Sequence, residues 1–109
     1  MRGILGQNSV KGTKVKLNIS MPPIDGHHLA DVEWSALVFT EQGSKTLTID
    51  KEDAIYIDDD NYVVCVDTSL VGAGKYYVTL IAYIPDTDFD DGIRPEKRTR
   101  YTGVTIDPR

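Results

Sequence analysis

Val15, Leu17, Ile19 and Met21 alternate with Lys14, Lys16, Asn18 and Ser20. That period of two turns one side of an extended chain toward a core and the other toward water, and it predicts a half-buried strand. Pro22 and Pro23 end it, because proline offers no donor to a strand ladder. After a loop over residues 24–31, Val32, Trp34, Ala36 and Val38 alternate with Glu33, Ser35, Leu37 and Phe39, and predict a second strand. Gln42, Gly43 and Ser44 form a turn signal. Short strands follow over residues 46–49, 55–57 and 62–67, the last two flanking a turn at Asp58, Asp59, Asp60 and Asn61. Residues 50–54 form a polar connection with room for one helical turn.

The most regular pattern begins at Tyr76, where Tyr76, Val78, Leu80, Ala82 and Ile84 make an unbroken apolar face. The opposite face carries Tyr77, Thr79, Ile81 and Tyr83, so this strand belongs in the middle of a sheet. A polar loop over residues 85–95 leads to a final strand over 97–106, with Val104 and Ile106 as its apolar end. Strands separated by frequent turn signals, with no helical periodicity, predict an all-β, two-sheet antiparallel sandwich of about seven strands. Leu70, Gly74 and Tyr76 stand where an immunoglobulin-like sandwich turns a corner and closes it with a tyrosine hydroxyl. On that reading Val78 and either Ile19 or Leu17 replace the two cysteines of antibody domains, and Trp34 is the core indole. The pattern alone also leaves open another β-sandwich or a small barrel.

With 109 residues the chain fits one domain, 1–109, with residues 1–12 read as a flexible N-terminal arm. A chain of this length buries roughly 65% of its unfolded surface, enough for a core without cross-links. Cys65 is the sole cysteine, so no internal disulfide can form. A formal charge of −5 disfavours a general nucleic-acid binder, which needs a cationic surface to displace phosphate counterions. The start of the chain lacks the apolar run of a secretory signal, and no segment reaches the ~20 apolar residues of a membrane span. The expected location is the cytoplasm, or release from it as part of something larger.

Candidate chemistry is sparse. Asp86, Asp88 and Asp90 place carboxylates at alternate positions, as in the opening of a calcium loop, because a hard cation wants several oxygens. The register fails: glycine arrives at loop position seven as Gly92, and Lys97 takes position twelve, one place after Glu96. A solvated acidic turn is the preferred reading, with calcium as a weak alternative and no cofactor expected. Asp58, Asp59, Asp60 and Asn61 are better explained as a hairpin turn than as a cation site. His27 and His28 are adjacent, a spacing poorly suited to one tetrahedral ion, and are expected as exposed loop residues. Ser20, His27 and Asp31 could be drawn as a triad, but nothing local resembles a nucleophile elbow. Cys65, between valines, is expected as a buried inert thiol. Gly72, Ala73, Gly74 and Lys75 lack phosphate-loop spacing and are expected to supply positive φ at the corner. Arg94, Lys97, Arg98 and Arg100 form the one basic cluster, with Arg98 and Arg100 on one strand face. They are candidates to receive an acidic partner, the residue 86–91 loop of a neighbouring copy among them; the plainer alternative is a charged edge strand that discourages pairing.

The segments over residues 11–19, 66–96 and 102–106 resemble small immunoglobulin-like β-sandwich proteins encoded in phage-like or mobile gene clusters of gut Bacteroidales. The resemblance covers most of the chain and carries no catalytic motif, so no functional residue transfers. It implies a baseplate-, fibre- or decoration-type accessory role. The expected function is a non-enzymatic structural or interaction module, working with other protein subunits as a homo-oligomer or virion part, without nucleic acid or membrane. Arg94, Arg98, Arg100, Tyr77 and Tyr83 are the expected interaction residues. The alternative is a surface module of the host bacterium that binds carbohydrate or protein, with Tyr56, Tyr62 and Tyr101 as a stacking platform.

Overall fold

The computed structural model describes residues 8–10, 14–41, 43 and 45–107. Eight strands run in chain order: β1 (Asn8–Val10), β2 (Lys14–Ser20), β3 (Glu33–Thr40), β4 (Leu47–Asp50), β5 (Ile55–Asp58), β6 (Asn61–Asp67), β7 (Gly74–Pro85) and β8 (Ile93–Asp107). One sheet has the order β1-β8-β7-β3-β4 and the other β2-β6-β5. Seven of these strands pair antiparallel, and the three-residue β1 runs parallel to the end of β8, Asn8 opposite Thr105. With β2, β6 and β5 facing β8, β7, β3 and β4, the chain is an immunoglobulin-like sandwich without a disulfide. Residues 1–7 and 11–12 of the expected arm, and Gln42 and Ser44 of the expected turn, lie outside the described residues.

Alternation builds the core as the sequence pattern requires. Leu17 and Ile19 from β2, Val64 and Val66 from β6, Ala36 and Val38 from β3 and every second residue of β7 from Tyr76 to Ile84 are buried together. Trp34 is 2% exposed and meets the Tyr62 ring edge-on at 5.1 Å, in the favoured geometry for aromatic pairs. The polar connection of residues 50–54 contains a single 3₁₀ turn, Lys51–Asp53. Its Lys51 Nζ donates to the carbonyls of Ala30 and Val32 at 2.9 and 2.8 Å, tying that turn to the entry of β3.

The corner closes as the tyrosine pattern implies. Asp67 caps the 3₁₀ turn Thr68–Leu70 by accepting from the Ser69 N–H, and Gly72 and Gly74 take φ of 105° and 124°. Those angles favour glycine, so the chain can reverse there without Cβ strain. Tyr76 enters β7 immediately after and is fully buried.

Two expectations need correction. The last strand begins at Ile93, not at residue 97, and the loop shrinks to residues 86–92. Its first half carries no apolar pattern because the three-stranded sheet does not cover it. Cys65 is exposed rather than buried. Val64 and Val66 claim the inward positions of β6, and the pleat therefore turns Cys65 outward.

Candidate functional site

The two sheets differ in width, and the consequences gather at their edges. Opposite the inward residues Val78, Leu80, Ala82 and Ile84 of β7, the ladder places Arg100, Arg98, Glu96 and Arg94 of β8. These four charged side chains occupy the side of the sheet that elsewhere faces the core. They are tolerated there because the opposing sheet ends at β2. A groove of about 240 Å³ results, lined by Asn18 and Ser20 of β2, Val78 and Leu80 of β7, and Arg98 and Arg100 of β8.

Arg94 does not belong to a free basic stripe. Its Nη2 donates to Asp25 Oδ2 at 2.7 Å, its Nη1 to Asp86 Oδ2 at 2.6 Å and its Nε to Glu96 Oε2 at 3.0 Å. All its donor nitrogens are engaged, and its proton is held more tightly than usual, chiefly by the bond to Asp25. Asp25 is aimed there by a tight turn: Ile24 and His27 exchange backbone bonds around Asp25 and Gly26, at φ of 51° and 81°. An Asp-Gly pair is the preferred sequence for such a two-residue turn. That dipeptide is the one sequence signal for Asp25, whose role as the first anchor of Arg94 the pattern of apolar and charged positions does not reveal. Arg98 by contrast has one loose contact, 3.9 Å to Glu96, and Arg100 has no ion pair among the described residues.

Asp86, Asp88 and Asp90 do not converge. Asp86 uses one oxygen on Arg94 and the other to accept from the Asp88 N–H, while Asp88 and Asp90 remain exposed in the turn. No cluster of three or more metal-ligating side chains occurs among the described residues. Asp58 is consumed by its own hairpin, accepting from the Asp60 N–H and from Asn61 Nδ2, and those bonds hold its carboxyl below the usual range. His28 is not a free loop residue as expected. It is half-buried, and its Nδ1 lies 2.8 Å from Asp60 Oδ1, joining the β2–β3 connection to the β5–β6 turn. That bond, with the charges of Asp60, Asp31 and Asp59, raises the imidazole pKa above 6.5.

The aromatics separate into two groups. Tyr62 is buried against Trp34, Tyr56 stands on the edge strand β5 and Tyr101 lies on the other sheet, so these three form no common platform. A different row exists on the outer face of the larger sheet. Phe39 stacks on Tyr77 at 5.9 Å, Tyr77 meets Tyr101 at 5.4 Å, and Lys75 Nζ sits 5.9 Å from the Tyr101 ring. Tyr83 is exposed farther along the same face. The free edge of the smaller sheet is more unusual: β5 exposes Ile55, Tyr56 and Ile57 by 49, 55 and 54%.

No helix among the described residues is long and apolar enough to cross a membrane. No protein-family model matches the chain, and neither a curated protein nor a solved structure matches it.

Proposed function

We propose that the chain is a non-enzymatic structural and interaction module that works by pairing its strand edges with other protein subunits, as a baseplate-, fibre- or decoration-type part of a phage-derived particle. The observation that carries this reading is the character of β5. An edge strand with three successive exposed apolar residues is a surface that natural monomers avoid, because it templates pairing with another chain. Arg98, held only by the loose 3.9 Å contact to Glu96, and Arg100, without an ion pair among the described residues, supply a second, charged contact. The place of action is then the cytoplasm before assembly and the particle after it.

Quantitative mass spectrometry of particles purified from cells carrying the gene tests this reading. A fixed stoichiometry to other particle proteins is expected; a chain found only outside particles overturns it. The Phe39, Tyr77 and Tyr101 row supports the second reading, a host surface module for carbohydrate, since a half-buried row of rings that ends in exposed Tyr101 offers faces on which a sugar can stack. Glycan binding lost in Tyr77→Ala would favour that alternative.

A further inference from the structure

β8 is paired along one side and bare along most of the other. From Ile93 to Tyr101 it pairs with β7, but its opposite edge meets a strand among the described residues only where β1 runs beside Thr105 to Asp107. That short contact shows that a chain fits in the lane beside β8. Long bare edges are normally protected, because their unpaired N–H and C=O groups invite any extended chain. Here the protection has one sign: Lys97, Arg98 and Arg100 are cationic in a chain of formal charge −5. Such an edge repels its own kind and accepts an acidic strand.

The inward face specifies more. Arg98 and Arg100 stand opposite Leu80 and Val78 and border the groove of about 240 Å³ whose far wall is Asn18 and Ser20. Pockets that enclose small molecules usually run from about 300 to 1,000 Å³. This one is smaller and lies beside the bare edge, so it suits the side chains of an extended segment. A strand laid against β8 would send every second side chain to that face, directly beside Arg98 and Arg100. Glu96, next on the same face, already serves Arg94 and would repel a third acid. The matching pattern is therefore two carboxylates at alternate positions, not a run of acids.

We infer that β8 receives an extended acidic segment of a partner protein, added as a strand along residues 96–101, with two alternate carboxylates on Arg98 and Arg100. This names the kind of partner that the proposed interaction module takes and rests on that reading. A lone strand lies in the sheet plane beyond β8, so it brings no second sandwich into the space of the first. The chain's own segments fit the lane poorly. Residues 1–7 include Arg2 and no acid. The acidic runs at 58–60 and 86–91 form turns, where Asp58, Asp86 and Asp91 already accept backbone N–H groups.

NMR titration of the full chain with a threonine peptide bearing two glutamates at alternate positions tests this. Amide shifts should gather at residues 96–101 and 18–20, and affinity should fall at high salt, as screened charge pairs require. A peptide of equal charge with adjacent glutamates, which point to opposite faces, should bind about tenfold more weakly or worse. Arg98→Gln with Arg100→Gln should weaken the first peptide by a similar factor, whereas Lys97→Gln, on the other face, should weaken it less than about twofold. All three side chains are exposed, and an unchanged spectrum elsewhere confirms that the variants fold. Wild type that ignores the peptide overturns the inference. So does equal binding of the two peptides, or of inorganic polyphosphate, since charge alone would then explain it. Slow amide exchange over residues 96–101 in the free monomer would assign the edge to the chain's own residues, and protection that grows with concentration would assign it to a second copy; either overturns the inference. A chain that enters particles at fixed stoichiometry yet ignores the peptide sinks this inference alone. One that binds the peptide but never enters particles sinks the broader reading.

Discussion

The Tyr76 hydroxyl donates to the Gly72 carbonyl at 2.6 Å, with the Thr68 carbonyl 3.3 Å away. The ring is fully buried, and burial, aided by the nearby Asp67 charge, pushes the phenol pKa up to about 12. The tyrosine is thus a neutral donor that locks the corner ahead of β7. Tyr76→Phe removes the donor and leaves the partly buried Gly72 carbonyl without it, for an expected loss of about 1–2 kcal/mol in urea unfolding. Tyr77→Phe, whose hydroxyl reaches only exposed Glu41 at 3.3 Å, should stay within about 0.5 kcal/mol. Equal effects of the two would remove the corner from the account of stability.

Trp34 carries the opposite kind of load, packing without a hydrogen bond. Its indole N–H has no partner among the described residues. Trp34→Ala should cost about 3–5 kcal/mol by leaving a cavity between the sheets. Unfolding followed by circular dichroism measures this, since the substitution also removes the fluorophore.

Arg94 and Arg98 look alike in sequence and should behave differently. Arg94→Ala frees Asp25, Asp86 and Glu96 at once and should lower the melting temperature by several degrees, with Arg94→Lys recovering little because an ammonium cannot fork to three carboxylates. Arg98→Ala should leave the melting temperature nearly unchanged, as expected of an exposed, loosely paired charge.

The His28–Asp60 bond should make stability depend on pH in a stated direction. The folded imidazole has a pKa above its unfolded value of 6.5, so the folded state binds the proton more tightly. The stabilisation is full below pH 6.5 and fades as pH rises through the folded value. The melting temperature difference between wild type and His28→Gln should therefore be larger at about pH 5.5 than at about pH 8.5. The reverse order would contradict the pairing.

Residues whose surroundings follow from the strand period are legible in the sequence. Leu17, Trp34, Val64 and Tyr76 announce their faces by alternation, and the glycines around the corner announce the turn. The start of β8 is not legible, because Arg94, Glu96, Arg98 and Arg100 face inward where no sheet opposes them. Alternation reports burial, and there is none to report. Cys65 misleads for a related reason: flanking valines suggest burial, but only the phase of the pleat decides which neighbour points inward. The anchors Asp25 and Lys51 depend on loops meeting from distant parts of the chain, which no local pattern encodes.

Residue-resolved amide exchange at two protein concentrations tests the central claim most directly, namely that a rigid sandwich presents an apolar edge strand, β5, to other subunits. Residues 62–66 and 76–84 should exchange slowly and independently of concentration, while residues 55–58 should become faster on dilution. Exchange in β7 as rapid as in β5, or a β5 edge indifferent to dilution, would contradict it.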